Sequence, residues 1–216
     1  MRRISAPADI EEGLDALVAA DPRLSAVRAA AGEVPLRLST PGFASLVSIV
    51  VSQQVSRASA DAILGRLVAL VDPLTPRAVL DADPDLFRQA GLSRPKQATM
   101  LALSRAVGGG LDLTGLCAVD GEQAIAELTS VPGIGRWTAE VYLLGAAGHP
   151  DVFPARDVAL QSAVGAAFGI DPRPGEKGLI AIAESWSPWR SVAARLFWAY
   201  YRTLRGREAA PVAAGG

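Results

Sequence analysis

Apolar residues recur three and four positions apart along most of the chain, which is the spacing of one face of an α-helix. The chain is also rich in Ala, Leu, Arg and Glu, which favour helices. The pattern contains no convincing pair of alternating strands and no internal repeat. We therefore predict an all-α fold. Its helices are expected over about 8–20, 22–31, 42–51, 53–71, 76–81, 84–90, 94–107, 121–130, 136–147, 156–168, 176–186 and 189–205.

Gly and Pro cluster between the predicted helices and indicate two helical lobes with a cleft between them. The glycine triplet at 108–110 ends a long helix, and the turn-rich stretch 148–155 is suited to carry the chain from one lobe to the other. We expect residues 40–147 to form a barrel-like lobe. Both ends of the chain, 1–39 and 148–205, are expected to form the second lobe. The last residues, 206–216, are expected to be a frayed tail.

The composition is that of a folded protein in a reducing compartment. Of the 216 residues, 50% are hydrophobic and 20% are charged, which supports a sizeable core. Cys117 is the sole cysteine, so an internal disulfide, an iron–sulfur cluster and a four-cysteine zinc site are all excluded. The only histidine, His149, has no partner cluster and is interpreted as a loop residue. We expect neither zinc nor an iron–sulfur cluster.

The chain shows no sign of a membrane or secretory segment. No stretch approaches the roughly 18 apolar residues of a membrane span. Pro7, Asp9 and Glu11 interrupt any apolar signal-peptide core near the start. We therefore expect a cytoplasmic protein with no membrane partner.

The overall charge counts against a nucleic-acid partner, whereas its distribution does not. The net charge is −1, although nucleic-acid-binding domains are often strongly basic. From Arg88 to Arg105 there are four basic residues and no acid, and from Lys177 to Arg207 six basic residues stand against one acid. Local charge matters more than the sum for binding. The two basic stretches therefore keep a nucleic-acid partner open.

The most informative stretch is Leu128-Thr-Ser-Val-Pro-Gly-Ile-Gly-Arg-Trp-Thr-Ala-Glu-Val-Tyr-Leu-Leu144, which predicts a helical hairpin. Gly133 and Gly135 permit positive φ and close backbone approach, and Ile134 between them would plug into the core. The N–H groups of the turn and of the next helix, which begins at Arg136 and includes Thr138, would then converge on one anion such as a DNA phosphate. The alternative is a plain helix–turn–helix connection with glycine caps.

This stretch resembles the helix-hairpin-helix of the base-excision-repair DNA glycosylases, in which a Gly/Pro-rich loop and an Asp follow (the HhH-GPD superfamily). Asp157, in Val152-Phe-Pro-Ala-Arg-Asp157, lies 20 positions after Trp137, which matches the family's spacing. The resemblance covers about residues 40–205. It implies that the partner is double-stranded DNA with a damaged, flipped base, and that the protein associates with the nucleoid in the cytoplasm. It also implies that Asp157 is the catalytic residue. An N-cap role for Asp157 is the alternative, and the two roles are compatible.

Within that family, the residue after Arg136 separates two subclasses. Members that also cut the DNA backbone carry a Lys there as a Schiff-base nucleophile, whereas this chain has Trp137. The chain is therefore similar to the monofunctional alkyl-base branch, of the DNA-3-methyladenine glycosylase II type, and we expect no AP-lyase activity. Alkylated purines are cationic, so their departure needs little acid help and one carboxylate beside the sugar can suffice.

A flipped base is read by aromatic stacking, and a cationic base gains further from a π face. Trp137 and Trp198 match the aromatic pocket positions of the alkyl-base branch, and Phe43 is a weaker candidate. Val141 stands where some relatives have another aromatic residue. Core packing is the alternative interpretation for these side chains.

Two further segments resemble DNA-contacting parts of the family. In Ile49-Val-Val-Ser-Gln-Gln-Val-Ser56, Gln54 matches the wedge that fills the gap left by the flipped base, and Gln53 is its helper. In Gly91-Leu-Ser-Arg-Pro-Lys96, Ser93 and Lys96 are placed to touch phosphates. The alternative for Gln53 and Gln54 is that they are simply two exposed polar residues on an apolar helix. The alternative for Ser93 and Lys96 is a solvated loop.

The hairpin also offers main-chain ligands for an ion. The carbonyls of Thr129, Val131 and Ile134 match positions where the family often holds a monovalent cation, Na⁺ or K⁺, beside the phosphate. No other cofactor is expected.

Together these features predict a monomeric, monofunctional DNA glycosylase of base excision repair that hydrolyses the N-glycosidic bond of alkylated bases such as 3-methyladenine and 7-methylguanine. One alternative is a glycosylase for uracil or other deaminated bases. The others are a non-catalytic helix-hairpin-helix DNA-binding protein, and a helical scaffold without a DNA role.

Overall fold

The computed structural model describes residues 3–205, and these confirm the predicted all-α fold. Twelve α-helices and two short 3-10 segments, Gly115–Cys117 and Glu184–Trp186, occur in this range, and no strand does. The predicted tail, 206–216, lies outside the described residues. The helices are α1 Pro7–Ala20, α2 Leu24–Ala31, α3 Phe43–Ser52, α4 Arg57–Leu70, α5 Pro76–Asp81, α6 Pro84–Ala90, α7 Arg94–Gly108, α8 Gly121–Thr129, α9 Arg136–Gly145, α10 Val158–Phe168, α11 Glu176–Ala183 and α12 Arg190–Arg205.

The predicted helix over 53–71 is wrong at its beginning. Residues 53–56 form a turn, and α4 begins only at Arg57, where the Ser56 hydroxyl caps it by accepting from the Ser59 N–H. Gln54 has φ 58°, which interrupts the helix because a right-handed α-helix requires negative φ. Gln53 and Gln54 therefore lie in a turn and not on a helix.

The described helices belong to two compact units. One consists of Ser39–Ala147, and the other of the described parts of Met1–Leu38 and Gly148–Ala210. Within residues 3–205, no helix is both long and apolar enough to cross a membrane.

In the unit formed by the chain ends, α12 packs against α1, α2 and α10. α1 buries Ile10, Gly13, Leu14 and Leu17, which follow the helical spacing of three and four. A Cβ on Gly13 would come within 2.8 Å of both Trp189 and Val192, so the glycine lets α1 approach α12 closely. This packing holds α10, and with it Asp157, in place.

In the middle unit, α3 packs against α4, α7 and α9, while α8 packs against α9. The Tyr142 hydroxyl is buried and joins three segments of this core. It accepts from the Gly42 N–H at 2.9 Å and donates to the Leu113 carbonyl at 3.0 Å. Burial raises the pKa of this phenol, so it remains a donor. The beginning of α3 is thereby tied to α9, the second helix of the hairpin.

Candidate active site

The hairpin consists of α8, a turn over residues 130–135, and α9. The Ile134 N–H donates to the Val131 carbonyl at 3.0 Å, and the Ile134 side chain is buried, as predicted for a plug. The first helical hydrogen bond of α9 runs from the Ala139 N–H to the Gly135 carbonyl. The N–H groups of Arg136 and its neighbours therefore lie in the first turn of α9, where no intrahelical acceptor exists for them.

The two hairpin glycines differ, because only Gly133 adopts the positive φ that glycine permits. Gly133 has φ 89°, and a Cβ there would overlap the Thr99 side chain, whose own Cβ would lie 2.8 Å away. Gly135 has φ −89° and extended ψ, and a Cβ there would meet nothing within 4 Å. Gly133 is thus required by the fold, whereas the space at Gly135 is open to a ligand.

Arg136 is held by two carboxylates. Its guanidinium donates to Glu122 at 3.0 Å and to the buried Glu140 at 2.9 Å. The hydrogen bond with Glu122 is the main cause that raises the pKa of Arg136. Its side chain thus ties α8 to α9 and is already paired with two carboxylates.

Thr138 lies one helical position beyond Trp137, and its side chain faces the protein. Its hydroxyl is buried and accepts a hydrogen bond from the Gln53 amide at 2.8 Å. Gln53 thus links the turn after α3 to the hairpin, while the neighbouring Gln54 is exposed. The structure brings the predicted helper residue and the hairpin together and leaves the predicted wedge side chain at the surface.

Ser93 and Lys96 lie at the beginning of α7. Ser93 occupies the N-cap position and is exposed, but its side chain makes no capping hydrogen bond. The Lys96 ammonium donates to the carbonyls of Val51 and Gln53, at 2.7 Å each. Burial lowers the pKa of Lys96. The lysine is therefore engaged with the turn that contains Gln54.

Asp157 is the N-cap of α10 and is 8% exposed. Its Oδ1 accepts from the Ala159 N–H at 2.9 Å, the Leu160 N–H at 3.0 Å and the Trp198 indole N–H at 3.3 Å. Charge-assisted hydrogen bonds of this kind, together with the positive end of the helix, stabilise an ionised carboxylate. Asp157 is thus an N-cap whose Oδ1 is held in one orientation by three donors.

The predicted pocket residues differ in exposure. Trp137, the second residue of α9, is only partly buried. Trp198, Val141 and Phe43 are at most 9% exposed. The Trp198 indole N–H is bonded to Asp157, so this residue orients the carboxylate. Val141 and Phe43 belong to the packed helices α9 and α3 and contribute to the core.

Three residues that hold the hairpin were absent from the sequence prediction: Glu122, Glu140 and Thr99. Glu140 follows Arg136 by four positions, which is the spacing of helical ion pairs and could have revealed the contact. Thr99 reaches Gly133 from α7, and no local pattern indicates such a distant contact.

Known proteins share this arrangement of helices and hairpin. Residues 47–188 match the family model described as HhH-GPD superfamily base excision DNA repair protein. The chain therefore belongs to the HhH-GPD superfamily. A Mycobacterium tuberculosis relative, named a probable bifunctional transcriptional activator/DNA repair enzyme AlkA, is 33% identical over 91% of this chain and 41% of its own length. The chain thus spans about two-fifths of that curated relative.

Two solved structures have a very similar fold. The DNA-3-methyladenine glycosidase of Bacillus halodurans is 33% identical, with a TM-score of 0.80 over 97% of this chain and 96% of that one. The 3-methyladenine DNA glycosylase of Schizosaccharomyces pombe, solved with abasic DNA, has a TM-score of 0.80 at 24% identity over 88% of this chain and 95% of that one. The homologues of this chain thus include proteins named as 3-methyladenine glycosylases.

Proposed function

We propose that this chain is a monofunctional DNA glycosylase that releases alkylated bases of the 3-methyladenine and 7-methylguanine type. The observation that carries the proposal is Asp157, whose Oδ1 is fixed by three N–H donors at the beginning of α10. The relationship to the Bacillus halodurans DNA-3-methyladenine glycosidase, at 33% identity over nearly the full length of both chains, supports the same substrate class.

The proposed reaction is hydrolysis at the sugar. The N-glycosidic bond breaks, its electron pair leaves with the cationic base and neutralises it, and positive charge develops on the sugar ring. The Asp157 carboxylate stabilises that charge and orients water, which adds to the sugar carbon and gives up a proton to the carboxylate. A base that is already cationic needs no strong general acid, so a single carboxylate accounts for the reaction.

We propose that no backbone cleavage follows base release. Cleavage by a lyase requires an amine to form a Schiff base with the sugar. At the position after Arg136, where lyases of the family carry the lysine, this chain has Trp137. The chain has only two lysines. Lys96 is bound to two main-chain carbonyls, and Lys177 lies on α11. The partly exposed Trp137 ring is instead proposed to stack on the flipped base.

Excision from three duplexes that differ in one base tests the substrate class. We expect single-turnover release of 7-methylguanine to exceed release of uracil by at least about a hundredfold, because the two leaving groups differ by a full charge. An undamaged duplex serves as the control. Faster uracil release would establish the deaminated-base alternative, and binding without any release would establish the non-catalytic one.

The hairpin is proposed to hold a DNA phosphate at the open face of Gly135. Gly135→Ala is expected to leave the free energy of unfolding nearly unchanged, because φ and the surrounding space accept a methyl group. Its affinity for duplex DNA should fall about tenfold, since the methyl group would stand where the phosphate meets the N–H groups. Fluorescence anisotropy with a labelled duplex measures this, and unchanged affinity would contradict a phosphate at this position.

We propose that the hairpin holds a monovalent cation. The Thr129 carbonyl lies at the end of α8, where the helix dipole is negative, and carbonyl oxygens are suitable ligands for K⁺ or Na⁺. The Val131 carbonyl closes the turn toward Ile134, whose own carbonyl precedes α9. We propose that these three carbonyls would hold the cation beside the phosphate, where it would reduce repulsion between the helix end and the DNA.

A further inference from the structure

The turn between α3 and α4 holds an unusual backbone conformation at an exposed residue. Gln54 has φ 58°, in the left-handed region that non-glycine residues seldom adopt, and its side chain is at the surface. Such conformations persist where the surrounding structure determines them, and they cluster at functional sites. Contacts that impose this conformation are therefore informative about the function of the turn.

Lys96 supplies such contacts from a separate helix. Its ammonium donates to the Val51 carbonyl, near the end of α3, and to the Gln53 carbonyl, at 2.7 Å each. The Gln53 carbonyl belongs to the peptide bond that enters Gln54. By holding this oxygen, Lys96 restricts the rotation of the peptide that sets the direction of Gln54. The positive charge also lies at the negative end of α3, which strengthens the interaction.

A second contact holds the side chain of Gln53, the residue whose carbonyl Lys96 binds. The Gln53 side-chain amide donates to the buried Thr138 hydroxyl on α9 at 2.8 Å. The residue before Gln54 is thus tied to α7 through its main chain and to α9 through its side chain. Both ties involve interior-facing atoms, and neither uses the Gln54 side chain, which remains available to DNA.

We propose that Lys96 is a positioning residue that presents Gln54 as the wedge filling the gap left by a flipped base. This role replaces the phosphate contact expected for Lys96 from the sequence, and it rests on the proposed base-flipping function. The ammonium acts through two carbonyls of its own chain, so its loss should affect the wedge and leave general attraction to DNA intact.

The test compares Lys96→Met, Gln54→Ala and the double variant in binding to two duplexes. One duplex contains a tetrahydrofuran abasic-site analogue, and the other is undamaged. We expect Lys96→Met and Gln54→Ala each to reduce the preference for the abasic duplex about tenfold, because the first variant no longer holds the turn that presents the wedge and the second removes the wedge side chain. The double variant should lose no more than Gln54→Ala alone, because Lys96 acts through Gln54.

Controls separate this role from a phosphate contact and from a general loss of stability. The dependence of undamaged-duplex affinity on salt should be unchanged in Lys96→Met, whereas loss of a phosphate contact would lower its slope by about one. Lys96→Arg should restore part of the preference, because a guanidinium can also donate to both carbonyls. Thermal unfolding identifies variants that do not fold, and Lys96→Gln replaces the methionine variant in that case.

Two outcomes would overturn the inference: losses that multiply in the double variant, or an equal loss on both duplexes with a lower salt slope. Base release from methylated DNA by the unmodified protein is measured in parallel. If that release fails, the proposed function is wrong. If it succeeds while Lys96→Met keeps the full preference for the abasic duplex, only the inference about Lys96 is wrong.

Discussion

Asp157→Asn is expected to lower the single-turnover rate of base release by about a thousandfold or more, because the charge that stabilises the cationic sugar is lost. The fold should persist. The asparagine oxygen can still accept from the Ala159 and Leu160 N–H groups, and Asn caps helices about as well as Asp. Duplex affinity, measured by fluorescence anisotropy, should change little, since the substitution leaves the hairpin intact.

A matched control separates the charge of Asp157 from its role as a cap. Asp120 caps α8 in the same way, with its Oδ1 accepting from the N–H groups of Glu122 at 2.9 Å and Gln123 at 3.3 Å. Asp120→Asn should leave base release unchanged. Asp157→Ala should lose both base release and about 1 kcal/mol of stability through the missing cap. Normal release by Asp157→Asn, or its failure to fold, would leave only the structural role for this residue.

Gly133→Ala is expected to destabilise the protein by about 3 kcal/mol, which is a large fraction of a typical folding free energy. The residue has φ 89°, and its new Cβ would overlap the Thr99 side chain on α7. The hairpin would have to move away from α7 to relieve the overlap. Urea unfolding followed by circular dichroism measures the change as a lower midpoint at constant slope.

Two variants test the cause of that loss. Gly135→Ala places the same methyl group two residues away in open space at φ −89°, so its stability should match that of the unmodified protein. Thr99→Ala, combined with Gly133→Ala, removes the overlapping hydroxyl and should recover part of the lost stability, while the backbone strain remains. Equal stability of Gly133→Ala and Gly135→Ala would contradict the claim that overlap with Thr99 makes glycine necessary at position 133.

Local patterns in the sequence predicted the helices and the hairpin well. Apolar spacing placed most of the helices, and the run from Val131 to Gly135 correctly predicted the turn of the hairpin. Asp157 precedes an apolar helical run, so its capping position was also evident from the sequence. The HhH-GPD family was recognised from the same residues and is confirmed by the family match.

Contacts between distant residues explain what the sequence could not predict. Residues 53–56 have no strong helix breaker, yet Gln54 is left-handed, and the carbonyl before it accepts a hydrogen bond from Lys96, more than 40 positions away. A side chain has no room at Gly133 but has room at Gly135, because Thr99 in α7 lies against Gly133. Each of these features depends on tertiary packing that overrides local propensity.

Base release from methylated duplex DNA is the measurement that tests the proposed function most directly. The unmodified protein and Asp157→Asn are incubated with the same DNA, free bases are separated by chromatography, and strands are analysed before and after alkali. We expect the unmodified protein to free 3-methyladenine or 7-methylguanine, the strands to break only after alkali, and Asp157→Asn to release little more base than a sample without protein. Release by both proteins, strand breaks without alkali, or no release by the unmodified protein despite DNA binding would contradict a monofunctional alkyl-base glycosylase that uses Asp157.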